Sequence, residues 1–550
     1  MDKRAILFLI LSVAILYLYS YYEYQQEKNR LERFNREPAA PEPPPPGLPL
    51  SQALTDAKRD QGPDEKSLKS DDIATEQEVV VETDLYRAIL TNRGGVIKHW
   101  ELKQYTKGVD KDSPRIVLFG PQEKEPAIFP LDILVEGETE QVQQHFQKGL
   151  YRIEGQNLKL QGTSKKGQLS FLARGDSGGQ VLIKRLTFYS DRYDVDVQIE
   201  SEGFEKGYTL YVGANFAITD WGAKTFVGFI GPTSLIDQKL IQDSPSSIKG
   251  EVVHQGKLAW TALQDKYFLA ALIPQDVAGT IVARKLADQE VTVGVRYSPT
   301  TPPRAYTYRL YAGPKEYDRL RSYHLSLEET IDFGWFIYGS WSLVRVIAEP
   351  LFSVLRLFYD FTSNYGVSII LLTAGIKLLF VPLTHKSYVS MKGMQEIQPK
   401  VAALQKKYKD DRQKLQQELM ELYRKHKVNP LGGCLPMVLQ IPVFIALFNI
   451  LYTTIELRHA PFLLWIRDLS DKDPYYILPI IMGVSMVVQQ KLQPTTMDPM
   501  QAKIMLFLPV LFTYFFLYFP SGLVLYWLVN NVLSILQQYI TARYLKAAKA

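Results

Sequence analysis

Residues Tyr365–Leu383, YGVSIILLTAGIKLLFVPL, decide how this chain is read. The stretch is as long as a bilayer-crossing helix, since about 20 apolar residues at 1.5 Å each span a ~30 Å hydrocarbon core. Inside it stands one charge, Lys377, with no acidic residue in the segment to pair with it. A lone charge at that depth costs roughly 2.5–3.5 kcal/mol on insertion scales and usually marks a water-filled functional cavity. The work of the chain is therefore to be sought inside a membrane.

Chain-wide averages conceal this. A hydrophobic share of 46% and a mean hydropathy of −0.11 resemble those of a soluble protein. They average two unlike halves: residues 60–330 are polar with short alternating runs, whereas 335–543 hold nearly all the long apolar ones. Net charge is a modest +5, and no DNA partner is expected. The single cysteine, Cys434, excludes an intrachain disulfide framework. With seven scattered histidines it also leaves no pattern for a structural zinc site. No phosphate-cradling loop or dinucleotide fingerprint stands out, so no cofactor is expected.

Further apolar runs cover Cys434–Tyr452, Tyr475–Gln490, Ile504–Phe519 and Ser521–Ile540. The last two are separated by Pro520, Ser521 and Gly522, a turn signal. The first run, Ala5–Tyr22, follows Lys3 and Arg4 as a signal peptide would. No small-residue cleavage site follows it, and Tyr17, Tyr19, Tyr21, Tyr22 and Tyr24 form an aromatic belt, so residues 1–24 read as a retained anchor. Six spans result. The loop Lys386–Gly432 carries 11 Lys and Arg against 5 Asp and Glu, and Thr453–Asp473 carries 3 against 4. The basic loop should be cytoplasmic, which puts both termini in the cytoplasm and residues 25–335 outside.

Residues 25–72, rich in proline, alanine and glutamate from Glu37 to Gly47, form an extended tether. From there to residue 330 the pattern is β. Tyr193, Val195, Val197 and Ile199 alternate with polar residues, as do Val291, Val293 and Val295, and Asn92–Gly95 supplies a turn. Residues 73–330 thus predict a large antiparallel β-sandwich. Gly175–Gly179, GDSGG, resembles the nucleophile loop of a serine protease, but no matching histidine motif lies upstream. No catalytic residue is assigned, and the chain is not read as an enzyme. Trp335–Phe361, interrupted by Arg345, Glu349, Arg356 and Asp360, reads as an amphipathic helix along the outer interface. Within 386–432, Met391, Met394, Ile397, Val401 and Leu404, then Leu415, Leu419 and Leu422, predict a cytoplasmic hairpin of two helices. Its basic faces serve either topology alone or docking to ribosomal RNA, acidic lipids or targeting factors.

Thr373, Lys377 and Thr384 share one face of the second span, and Trp527, Asn530, Ser534 and Gln537 share roughly one face of the last; Gln440 lies in the third. Polar faces within spans point at protein or water. Two readings of Lys377 stand side by side: a charge in a wet groove, or a side chain snorkelling to the cytoplasmic surface. For Tyr526 and Trp527 the alternative is core packing.

The most specific motifs are NPLGGCLPMVLQ at 429–440, APFLLWIRDLSDKDPYYIL at 460–478 and FPSGLVLY at 519–526, with YAGPK at 311–315 and DFGW at 332–335. On these the chain resembles the YidC family of bacterial membrane protein insertases, in its six-span Gram-negative form. The resemblance implies a helical bundle, residues 362–543 for its five-span core, in the bacterial inner membrane. It implies a hydrophilic groove open to cytoplasm and lipid, built here from Lys377, Thr373, Gln440, Tyr526, Trp527, Asn530 and Ser534. The implied partners are nascent membrane proteins, membrane lipids, the Sec translocon and, through 386–432, the ribosome and a signal-recognition receptor. Many relatives carry arginine at the position of Lys377, so charge is retained while bidentate geometry is not. Two other classes remain: a secondary transporter, which substrate-dependent flux would reveal, and a tethered carbohydrate-binding protein, whose isolated outer domain would bind a sugar.

Overall fold

The computed structural model describes residues 75–120, 127–162, 165–175, 179–214, 216, 228–275, 279–287, 290–297, 305–336, 339–340, 342–409, 411–426, 428, 435–492 and 499–547. The expected anchor and tether lie outside the described residues, as does Cys434.

Alternation of apolar and polar residues builds the outer half. Val181–Tyr189, VLIKRLTFY, buries Leu182, Lys184, Leu186 and Phe188 and leaves the residues between them partly exposed. Asp194–Glu202 buries Val195, Val197 and Ile199 in the same way. These two strands lie in a nine-stranded antiparallel sheet with Ala305–Pro314 and Phe268–Pro274 at its middle. A five-stranded sheet containing Thr280–Ala287, Glu290–Tyr297 and Tyr208–Tyr211 packs across from its Gly231–Ile236 and Leu258–Gln264 strands, closing a β-sandwich. A further five-stranded sheet begins the domain; there Glu78–Glu82 pairs in parallel with Leu158–Lys159, a departure from the all-antiparallel expectation.

The inward lysine of this pattern is satisfied by carbonyls. Lys184 Nζ donates to Gly94 O and Leu131 O at 2.7 Å and to Gly95 O at 3.3 Å. Burial pushes its amine down, while the Asp132 carboxylate opposes the shift. Gly94 and Gly95 present those oxygens because both adopt left-handed backbone, with φ of 71° and 59°. A Cβ on Gly94 would lie 2.3 Å from the Gln147 carbonyl oxygen. The turn read at Asn92–Gly95 is therefore also a lysine site.

Below the sandwich come helices. Short α1 (Glu140–Lys148) and α2 (Tyr317–Ser322) belong to the outer domain. Then follow α3 (Ser342–Thr362), α4 (Tyr365–Lys407), α5 (Arg412–Lys425), α6 (Leu435–Thr453), α7 (Ile477–Leu492), α8 (Pro499–Phe516) and α9 (Ser521–Ala547). The amphipathic helix begins at Ser342, not at Trp335, because Trp335–Phe336 pairs with Gly339–Ser340 in a two-residue ribbon. It buries Val344, Ala348, Phe352 and Leu355 and exposes Val346, Leu357 and Phe361. Arg356 pairs with Asp318 of α2, and Arg345 with Glu329 at 3.6 Å.

A larger difference concerns α4, which runs unbroken from the apolar stretch into the first arm of the expected hairpin. Between Leu383 and Lys407 the chain is rich in good helix formers, and its only glycine is Gly393. Hydropathy changes near Leu383, but the helix continues and carries Pro382 and Pro399 within it. Capped by Asp411, α5 then folds back so that Gly393 faces Val428 and Lys400 Nζ lies 3.2 Å from His426 Nε2. Among the described residues, Tyr365–Lys407 and Ser521–Arg543 are long and apolar enough to cross a membrane by length and composition; Gln440–Thr453, Ile477–Leu492 and Phe507–Phe516 are shorter apolar helices.

α4 starts against the α6–α7 loop, where Asn364 caps it and Gly366 meets Phe462. A Cβ on Gly366 would fall 2.0 Å from Phe462 Cδ2 and 2.8 Å from its Cβ, so the whole ring would have to leave. Gly366→Ala should destabilise by about 1–3 kcal/mol, the usual cost of overpacking. Thermal unfolding in detergent checks this against Gly375→Ala, where a Cβ meets nothing within 4 Å and no loss is expected.

Candidate functional site

α4 and α9 pack side by side, and their facing polar residues form a seam. Lys377 Nζ donates to Asn530 Oδ1 at 3.0 Å and to Ser534 Oγ at 2.7 Å. Two turns further along both helices, Gln537 donates to Thr384 Oγ1. The ammonium thus reaches across to α9. Both bonds are to neutral oxygens, each of which satisfies a proton of the ammonium without cancelling its charge. Leu378 and Leu379, next in sequence, are among the most exposed apolar residues of α4.

The other sequence-read residues divide. Gln440 of α6 donates to Tyr526 OH of α9, and Tyr526 is buried. Trp527 sits among rings, 4.9 Å from Phe444 and 5.3 Å from Phe516 between centroids. Thr373 is buried and donates back to Ile369 O of its own helix at 2.6 Å. The structure therefore brings Lys377, Asn530 and Ser534 together, pairs Gln440 with Tyr526, packs Trp527 in an aromatic cluster and directs the Thr373 hydroxyl to its own backbone. Sequence reading missed Asn531, which donates to Ser485 Oγ of α7 at 3.0 Å. The doublet Asn530–Asn531 was the available signal, since neighbouring helix positions point to different partners.

One loop, Thr454–Tyr476, ties the helix ends together. Its Phe462 carbonyl accepts from Asn364 Nδ2 at 3.1 Å, and Asp473 accepts the Leu478 amide at 2.7 Å at the start of α7. Ser521, opening α9, donates its amide to Asp471 O at 2.7 Å and its hydroxyl to Asp468 O at 2.9 Å. Starts of α4, α7 and α9 and the end of α6 thus meet at this loop. The outer domain docks on it too. Arg458 Nη2 donates to Thr106 O at 2.6 Å, and beside the loop, at the end of α6, the Tyr452 ring centre lies 3.5 Å from Lys266 Nζ. Burial pushes the Lys266 amine down to about 8, while Asp468, Asp265 and Asp471 hold it up.

Glu456 lies in the same joint. Its Oε1 accepts the Tyr317 amide at 3.3 Å, and its buried Oε2 has no partner among the described residues. Burial pushes this carboxyl up to about 7, with nearby Glu316 adding to the rise and Arg356 opposing it. Among the described residues no group of three or more His, Cys, Asp or Glu side chains is gathered as a metal site.

A β-sandwich docked at its base on a bundle of apolar helices, with a lysine held inside the bundle, defines a membrane protein that carries a large extramembrane domain. Residues 78–354 match the YidC periplasmic domain, and residues 357–549 match the 60Kd inner membrane protein family. The chain is 39% identical over 550 residues to the membrane protein insertase YidC of Geotalea daltonii, with 98% of each chain covered. It is 36% identical over 572 residues to that of Geobacter metallireducens, with 100% of each covered. A crystal structure of active YidC insertase aligns over 85% of this chain and 93% of that one at 19% identity, with a TM-score of 0.36. The relatives and the family matches carry the assignment: the chain belongs to the YidC family of inner-membrane proteins with a periplasmic domain.

Proposed function

We infer that this chain is a membrane protein insertase, as its relatives are named, and that the α4–α9 seam receives the hydrophilic tail or short loop of an incoming membrane protein. The observation that carries this reading is Lys377, an ammonium held within an apolar helix by Asn530 and Ser534, with no carboxylate hydrogen-bonded to it among the described residues. Acidic groups of a substrate tail are attracted to that charge, which lowers the cost of carrying them partway across. The apolar segment of the substrate then slides out along the third and fifth spans into lipid. Burial of its apolar surface drives release, so no bond is made or broken and no nucleotide is needed.

In this reading the bundle crosses the membrane five times after an N-terminal anchor, and both chain termini are cytoplasmic. Alternation supports it: α4, α7 and α9 begin at the Thr454–Tyr476 loop, and α6 ends there. α4, at roughly 65 Å, is twice as long as a hydrocarbon core requires, so its far half and α5 stand in the cytoplasm as the basic hairpin. The Sec translocon, the ribosome and a signal-recognition receptor are the partners this reading adds, the last two through residues 386–432. α7, with 16 residues, is roughly 24 Å long and thins the bilayer beside the seam.

The test is reconstitution. Liposomes holding only the purified chain should protect the acidic translocated tail of a short single-span substrate from added protease. Protection no greater than in empty liposomes would count against autonomous insertion.

A further inference from the structure

The bonds around Lys377 have a fixed direction. Ser534 Oγ lies 2.6 Å from the Asn530 carbonyl and donates its hydrogen there. Its lone pairs are therefore left for the lysine, 2.7 Å away. Asn530 meets the same ammonium with its carbonyl oxygen at 3.0 Å. Asn530 and Ser534 are four residues apart, so both acceptors sit on one face of α9 and grip the ammonium from one side. An ammonium has three donors in tetrahedral arrangement. Two go to α9, and tetrahedral geometry aims the third away from both acceptors.

We propose that Asn530 and Ser534 are positioning residues that hold Lys377 across the seam by neutral acceptors alone, leaving its full charge and a single N–H to bind one carboxylate oxygen of an aspartate or glutamate in the substrate tail. This rests on the insertase reading above and deepens it. Recognition by one donor differs in kind from the bidentate grip of a guanidinium. It reads charge and not the plane of the carboxylate, so aspartate and glutamate tails are handled alike. Neutral acceptors are essential to it. A carboxylate at either position would pair with the ammonium permanently and remove the attraction that a substrate feels.

Asn530→Asp is nearly isosteric and makes that change with little alteration of shape. The assay is protease-protected insertion into liposomes holding the full-length protein, with matched acidic-tailed and neutral-tailed substrates; the readout is the ratio of the two. Lys377→Gln and Ser534→Thr are measured alongside. The ratio should fall fivefold or more in Asn530→Asp, fall as far in Lys377→Gln, and stay within twofold of wild type in Ser534→Thr, which keeps a hydroxyl. A fall in Lys377→Gln with an unchanged ratio in Asn530→Asp overturns the positioning role and leaves the charged-seam reading standing. An unchanged ratio in Lys377→Gln overturns both. Equal loss of the two substrates in Asn530→Asp, at constant ratio, also overturns the proposal, because a merely structural role would act in that way.

Discussion

Lys377→Glu should reduce insertion of an acidic-tailed substrate by about ten- to a hundredfold, the equivalent of about 1.4–3 kcal/mol. Two effects act together. Attraction for the tail is lost, and a carboxylate at the same depth repels it, in surroundings less polar than water. Rearrangement within the seam offsets part of the local damage: the Asn530 amide can turn its NH₂ toward the new carboxylate, and the Ser534 hydroxyl can rotate to donate. A tail without acidic residues feels neither attraction nor repulsion, so its insertion should fall less than threefold. Protease protection of the two substrates in liposomes measures both numbers. Equal losses for both would mean that Lys377 hydrates the seam and does not read substrate charge.

The second large effect concerns the joint under the outer domain. A carboxyl held at about 7 instead of 4.5 binds its proton more tightly in the docked joint than when the joint is open. Docking is therefore strongest below about pH 4.5, weakens as pH rises toward 7, and stays at its weakest above. The full difference is at most about 3 kcal/mol. Exchange of the Tyr317 amide, which donates to Glu456, reports the opening once the intrinsic pH dependence of exchange is removed. Glu456→Gln keeps the shape without the charge. It should make opening up to about 3 kcal/mol costlier at pH 8 and flatten the profile between pH 5 and 8. A flat profile in the unaltered protein would mean that the carboxylate is better solvated than its burial implies.

Much of this architecture was legible in the sequence, and the exceptions share a cause. Strands were legible because one buried face imposes a period of two, as at Val195, Val197 and Ile199. Lys184 obeys that period yet breaks its chemistry, and only the distant Gly94, Gly95 and Leu131 carbonyls explain it. The Pro520–Gly522 break showed clearly because turn chemistry is local. Continuity of α4 past Leu383 did not, because hydropathy reports the surroundings and not the backbone. Lys377 and the i, i+4 pair Asn530 and Ser534 could each be read on its own helix; that they meet is a tertiary fact. Gln440 and Tyr526 were likewise visible as polar groups within spans, but their bond to each other was not. The Ala460–Leu478 motif stood out as a string of residues, whereas its role in joining helix ends to the outer domain depends on contacts hundreds of positions away, such as Arg467 with Asp110.

Because so many ties collect at the Thr454–Tyr476 loop, the described helices of the bundle are stitched together at that end. Rods joined at a common end separate like the ribs of a fan, and the gap between two of them widens with distance from the pivot. Small angular play at the stitched end thus becomes a wider parting at the far end. In the insertase reading proposed above that far end faces the cytoplasm, and a polypeptide arriving there meets the bundle where parting its helices is easiest.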